Sequence, residues 1–281
     1  MGRRGKRDIG RRDVLLGGMS LALVIASSTT ARAETDLRGR FVQGTLIRGR
    51  APGAKVSIDG KTLNLSSKGD FAFGFAYDRT SSATLRITTA DGETETKTIE
   101  LAKREYNVQR INGLPESMVE PPASVMKRIE RDNHLIGVAR ARDTDEDWFA
   151  EDFGWPVKGP LTGFYGSQRI LNGVPKRPHY GLDIAAGEGT TIHAPLGAIV
   201  SMAEKDMYFT GGTVILDHGR GVSTSYLHMS RLDVKVGDRL AKGDPIGAIG
   251  HTGRATGPHL CWRLNWFAER LDPALVVPPM A

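Results

Sequence analysis

Beyond Trp155 the chain is cut by glycines into apolar stretches: Thr190 to Val200, Gly212 to Asp217, Ser223 to His228, Val234 to Val236, Ile246 to Ile249 and His259 to Leu264. Helical periodicity is absent from them, so their backbone groups must find hydrogen-bond partners in one another. The pattern predicts a mostly antiparallel β domain over residues 154–281. A single cysteine, Cys261, excludes an internal disulfide. The sheet must therefore be held by its own core.

The fold class predicted for the whole chain is mainly β, with a small N-terminal β-sandwich, a helical bridge and this C-terminal glycine-rich antiparallel domain. Over 34–105, Val56 and Ile58 alternate with polar residues, Asp59-Gly60 offers a hairpin turn, and Leu63 and Leu65 resume the alternation. Phe71, Phe73, Phe75 and Tyr77 fall two apart, which places them on one face of a strand. Asp91-Gly92 separates Leu85 and Ile87 from Ile99 and Leu101 in the same way. With no histidine or cysteine, this module reads as a scaffold. In 106–153, Pro115, Pro121 and Pro122 break the β pattern. A helix is expected over Ala123 to Arg142, with Val125, Ile129, Ile136 and Ala139 on its apolar side. The acidic run Asp143 to Asp152 is expected at the surface.

The net charge of +6 is concentrated at the start of the chain. Residues 1–33 hold seven Lys/Arg against Asp8 and Asp13, a surplus of five, which leaves only +1 for the remainder. A nucleic-acid partner is therefore not expected. Arg11-Arg12, the uncharged stretch Val14 to Ala26, and Ala31-Arg32-Ala33 follow the basic, apolar, small-residue order of an export signal. The stretch is 13 residues, shorter than the roughly 20 needed to span a bilayer. The paired arginines resemble a twin-arginine signal, although Val14 and Leu16 depart from the usual residues. The mature chain is expected to begin at Glu34, in the periplasm or outside the cell, without a transmembrane segment.

Six of the seven histidines lie beyond Trp155. In His179-Tyr180-Gly181-Leu182-Asp183, period 2 puts the imidazole and the carboxylate on one face, with Gly181 leaving room between them. His228 ends the stretch Tyr226-Leu227-His228, and His259 and Cys261 are again two apart. A His, a carboxylate and a third N or S donor from separate strands would make a catalytic zinc site with an open position. His134, His193, His218 and His251 read as structural or surface residues. Cys261 as a peptidase nucleophile is disfavoured, because His259 is only two residues away and nothing orients the pair.

In order, H-Y-G-L-D, D-H-G, Y-L-H-M-S, G-D-R-L-A-K-G-D-P-I-G and T-G-R-A-T-G-P-H-L-C-W closely resemble the lysostaphin/LytM-type zinc metalloendopeptidases that cut cell-wall peptidoglycan. The resemblance runs from Trp155 to Pro273. It implies zinc as cofactor, with His179 and Asp183 as ligands, and His228 and His259 as catalytic residues that orient water and stabilise developing charge. Peptidoglycan stem peptides would be the substrate. The family's third ligand is the second His of an H-x-H pair, and Cys261 stands there, which makes it the expected third metal ligand. A thiolate binds zinc well, but with Asp183 it cancels the ion's charge, so hydrolysis is expected to be slowed. The rival reading is a catalytically silent module that binds peptidoglycan or regulates another wall hydrolase.

If the twin-arginine reading of the leader holds, replacing Arg11 and Arg12 with lysine traps the precursor in the cytoplasm. Cell fractionation checks this, and undiminished export of the double variant would point to the general secretion route.

Overall fold

Asp59 and Gly60 both take positive φ, 49° and 79°, in the computed structural model, which describes residues 35–280. That is the mirror-image turn whose twist suits a two-residue hairpin, and it joins strands Lys55–Ile58 and Lys61–Leu63 as the sequence predicts. The expected export signal over 1–33 lies outside the described residues. Strands Ala83–Thr88 and Thr94–Ile99, turning at Gly92, complete a four-stranded antiparallel sheet. Leu37–Arg38, Leu46–Arg50 and Asp70–Gly74 form a second, three-stranded one. Val56, Leu85 and Ile87 from the first sheet and Ile47, Phe71 and Phe73 from the second meet in one buried core.

Phe71, Phe73 and Phe75 share a buried face, with successive ring centroids 6.3 and 5.6 Å apart. Tyr77 does not continue that row. The strand stops at Gly74, and the Tyr77 ring instead packs edge-on against Tyr106 and Tyr180, at 6.0 and 5.6 Å. A Cβ on Gly74 would come within 2.6 Å of the Leu271 side chain, so this strand lies directly against the C-terminal region. Val222, Trp262 and Leu264 of that region belong to the same continuous core.

The bridge contains the expected helix, as a 3-10 turn Ala123–Val125 followed by Met126–Arg140. Ile129 and Ala139 are buried, and Asp132 beside them accepts the Tyr208 amide at 2.8 Å. His134 is exposed. One feature of the bridge differs from expectation: Val108–Ile111 is a strand, running parallel to Gln168–Leu171. The acidic run keeps its carboxylates at the surface, as expected, and is anchored there: Asp143 and Asp145 pair with Arg220, Glu146 with Arg239, and Phe149 is fully buried. Its aromatic residue reaches the core while its carboxylates stay at the rim.

The large C-terminal sheet is ordered Arg239–Leu240, Ala198–Met207, Gly211–Asp217, Val222–Leu232, His259–Trp266, Leu182–Ala185, Leu161–Gly163, with every neighbour antiparallel. Pro245–Ile249 pairs with the far end of Val222–Leu232 and with Thr191–His193. The apolar stretch Val234 to Val236 is not a strand. The Asp238 carboxylate captures the Lys235 amide at 2.9 Å, turning the chain and leaving Val236 56% exposed. No helix among the described residues is long and apolar enough to cross a membrane.

Phe73 has no exposed surface and touches two other rings. Phe73→Ala is expected to cost about 3–5 kcal/mol, read as a lower urea midpoint at unchanged m-value.

Candidate metal centre

The register between Leu182–Ala185 and His259–Trp266 sets Asp183 directly opposite Cys261 and Ala185 opposite His259. Residues facing each other across an antiparallel pair project to the same side, and His259 is two positions from Cys261 on its own strand. One face therefore carries all three. His179 enters from the segment before the strand. Its amide donates to the Ser167 carbonyl at 2.8 Å, and its carbonyl accepts the Gly166 amide at 2.7 Å.

His179 Nε2 lies 3.1 Å from Asp183 Oδ1 and 3.3 Å from Cys261 Sγ. The donor atoms of the three residues fall within 4.8 Å of one another, and all three side chains are buried. Despite its short distance to the imidazole, Asp183 Oδ1 makes no hydrogen bond of acceptable geometry. His179 Nε2 and Cys261 Sγ are within hydrogen-bond reach of each other, while Asp183 Oδ1 is left for a further partner. Imidazole, carboxylate and thiol are a donor set that suits a divalent cation such as zinc.

Gly181 does not leave the space expected of it. A Cβ there would approach the Trp262 carbonyl to 2.8 Å and Cys261 Sγ to 3.1 Å. The missing side chain lets the neighbouring strand and the thiol come close.

Burial shapes the charges. It holds the His179 pKa down at about 4, against the opposing pull of Asp183. Burial alone would raise the Asp183 carboxyl, but interaction with His179, then Arg169 and His259, carries it below the usual range. With His179 neutral near pH 7, the standing counter-charge is Arg169, whose Nη2 donates to Asp183 Oδ2 at 3.0 Å. Burial, then the charge of Asp183, pushes the Cys261 thiol up to about 11. A cation bound there would have to displace its proton.

His228 and His259 stand side by side, ring centroids 4.8 Å apart, with His259 Nε2 3.9 Å from Asp183 Oδ1. His228 Nδ1 donates to the Thr252 carbonyl and His259 Nδ1 to the Gly257 carbonyl, each at 2.8 Å. A carbonyl only accepts, so both Nδ1 atoms carry protons and both Nε2 atoms remain for the cleft. Burial, with the repulsion of His259 added, lowers the His228 pKa to about 3. The strand was expected to end at His228, but it continues to Leu232. Leu227 and His228 together stand opposite Thr213, and His228 has φ 66°. This is a β-bulge, which re-aims the imidazole out of the alternation.

A family model for peptidase family M23 matches residues 177–273. Over 98 residues, 34% of this chain, the sequence is 41% identical to the peptidoglycan DD-endopeptidase ShyA of Vibrio cholerae, covering 23% of that protein. Over 104 residues, 37% of this chain, it is 36% identical to the DD-carboxypeptidase/endopeptidase Mpg of Neisseria meningitidis, covering 24% of it. A crystal structure of a candidate peptidase M23 from Pseudomonas aeruginosa superposes on 85% of this chain and 95% of its own, with TM-score 0.67 and 27% identity. Residues 177–273 form a peptidase family M23 domain. The chain spans about a quarter of the length of these two curated relatives.

The M23 domain does not supply the whole site. The cleft, about 290 Å³, is lined by Asp183, His228 and His259, but also by Gln109, Ile111 and Leu114 of the bridge. Gln109 Oε1 accepts from Arg169 Nε at 3.4 Å, linking the bridge through Arg169 to Asp183. Gln109 and Arg169 stand in none of the sequence motifs, and Arg254, another lining residue, lies within T-G-R-A-T-G-P-H-L-C-W without a role assigned to it there. Gly166-Ser167-Gln168-Arg169 carries no periodicity or metal-donor spacing to mark it. The remaining histidines take structural or surface places. His218 is fully buried, with Nδ1 donating to the Gly197 carbonyl and Nε2 accepting from Thr224, while His193 and His251 are exposed.

Gly181→Ala is expected to overpack the strand pair, costing about 1–3 kcal/mol and lowering divalent-metal occupancy by displacing Cys261 Sγ. Thermal unfolding and elemental analysis of the purified protein check both effects.

Proposed function

We propose that the chain is an exported zinc-dependent endopeptidase that cleaves peptide cross-links of bacterial peptidoglycan. The observation that carries this reading is the convergence of His179 Nε2, Asp183 Oδ1 and Cys261 Sγ beside two imidazoles whose Nδ1 atoms are already committed. Family membership and the peptidoglycan-directed names of the curated relatives support the substrate. The basic, apolar, small-residue order of 1–33 supports export.

In this reading His179, Asp183 and Cys261 hold zinc, which supplies a Lewis acid to the scissile carbonyl and to the attacking water. His228 and His259 manage the proton. Their rings are too close for both to be charged, since each positive charge disfavours the other. One Nε2 accepts the proton of the attacking water and, carrying it, becomes the hydrogen-bond donor to the developing oxyanion, while the other ring stays neutral. A single proton is therefore passed between substrate and the pair, and returned to the departing amine. Arg169 holds the carboxylate orientation and draws off part of its charge.

Cys261 favours a second reading. With two anionic donors the ion's charge is cancelled, which depresses its acidifying effect on water. A wall-binding module without turnover would tolerate that loss.

Isolated peptidoglycan, incubated with zinc-loaded and zinc-stripped mature protein, separates the two by the appearance of new free amino groups. Release is expected only with the loaded form, and none in either form favours the binding module. His179→Ala and Asp183→Ala are expected to lose most bound zinc. His228→Ala should keep the metal and lose about a hundredfold or more in turnover. Cys261→His should raise turnover at retained zinc, and Cys261→Ala should weaken metal binding.

A further inference from the structure

Three arginines meet on one face of the large sheet. Ser225 on Val222–Leu232 faces Arg263 on His259–Trp266, and Ser223 faces Asn265. Asn265 in turn faces Arg270 on the short strand Glu269–Leu271. Residues that face each other project to one side, and so do residues two apart on a strand. Ser223, Ser225, Arg263 and Arg270 therefore share a face. Arg140, which ends the helix Met126–Arg140, reaches the same place, with Nη2 3.4 Å from Ser225 Oγ.

These cations lack an acceptor. Arg140 Nε, Arg263 Nε and Ser223 Oγ are all buried and make no hydrogen bond. Among the described residues none of the three arginines makes an ion pair, and the charges that act on Arg140 are Arg263 and Arg270. Burial, with that repulsion added, brings the Arg140 pKa down to about 9, so it stays charged at pH 7. Burial, then Arg263, lowers Arg270 as well, and its guanidinium lies 4.3 Å over the Tyr180 ring. Asp217, which faces Ser223, is already engaged: Oδ2 accepts from Thr144 Oγ1 at 2.9 Å and Oδ1 from the Gly219 amide at 3.0 Å. A buried donor without an acceptor is costly, and a charged one more so.

We propose that Arg140, Arg263 and Arg270, together with Ser223, bind a doubly charged tetrahedral oxyanion of the phosphate class. A carboxylate brings one charge and two oxygens in a plane, which suits a single guanidinium. A phosphate dianion brings two charges and oxygens aimed in several directions, which suits donors arriving from a helix end and three strands. The arginines are placed by sheet register and helix packing before any ligand arrives, so little ordering opposes binding. None of the four residues lines the cleft around Asp183, His228 and His259. The anion site is thus separate from the peptidase reading and needs no metal.

The test removes the metal first. Zinc-stripped full chain, in a zwitterionic buffer at matched ionic strength, is titrated calorimetrically with inorganic phosphate and with acetate. Phosphate is expected to bind about tenfold or more tightly than acetate, and to raise the melting temperature. Arg140→Gln should weaken phosphate about tenfold, and Arg140→Lys should recover part of the loss, since lysine keeps the charge without the fork. Arg270→Gln makes the same measurement should Arg140→Gln fail to fold by circular dichroism. A purely structural arginine would move the melting temperature without phosphate but not the phosphate-to-acetate ratio. Glycerol 1-phosphate identifies the source: tighter binding than inorganic phosphate assigns the site to a phosphomonoester, and weaker binding to the free ion. No binding by the stripped protein, equal affinities for phosphate and acetate, or an unchanged ratio in the folded glutamine variants would overturn the proposal.

Discussion

Everything at the centre depends on one cross-strand pairing, Asp183 opposite Cys261. A slip of one residue would send both side chains to the other face and replace them with Leu182 or Ile184 and Trp262 or Leu260, all buried in the core. The core thus enforces the register that the site needs. Trp262, with no exposed surface, cannot be turned to the cleft without leaving a large void. The hydrophobic pattern of the two strands and the placement of the donors are one constraint.

Around that pair the molecule supplies orientation in layers. Arg169 holds the free oxygen of Asp183, and Gln109 holds Arg169. Carbonyls of Thr252 and Gly257 fix the tautomers of His228 and His259. Such outer partners decide whether a donor set is merely near its target or ready for it. Several lie outside 177–273, so the chemistry of the M23 domain leans on segments that precede it.

Much of this was legible in the sequence where chemistry comes with spacing. Asp59-Gly60 and Asp91-Gly92 announce their turns because few other residues accept positive φ, and H-x-C places its two side chains on one face through period 2, whereas His179 lies before the strand that carries Asp183 and reaches it by another path. The bulge at His228 was not legible, since it depends on how Thr213 is opposed across the sheet. Tyr77 was misplaced for a related reason: alternation continues in the sequence past Gly74, where the regular strand ends and backbone bonds to Thr45 and Gly44 carry on only as far as Ala76. Arg169 and Gln109 act through contacts distant in the chain, and nothing local distinguishes them from other polar residues. The role of Gly181 was inverted, because an absent side chain admits whatever the fold brings, here a neighbouring carbonyl and a thiol of the protein instead of a bound group.

The donors of the centre come together from His179 and Cys261, 82 positions apart in the chain. Closing so long a loop is slow, and until it closes the strand bearing Cys261 lacks its partner Leu182–Ala185. Until it docks, the thiol is neither buried nor shielded by a partner, and it is open to oxidants and to softer metals that compete for sulfur. Protection of the thiol is thus a property of the closed sheet, acquired only when Asp183 and Cys261 come to face each other.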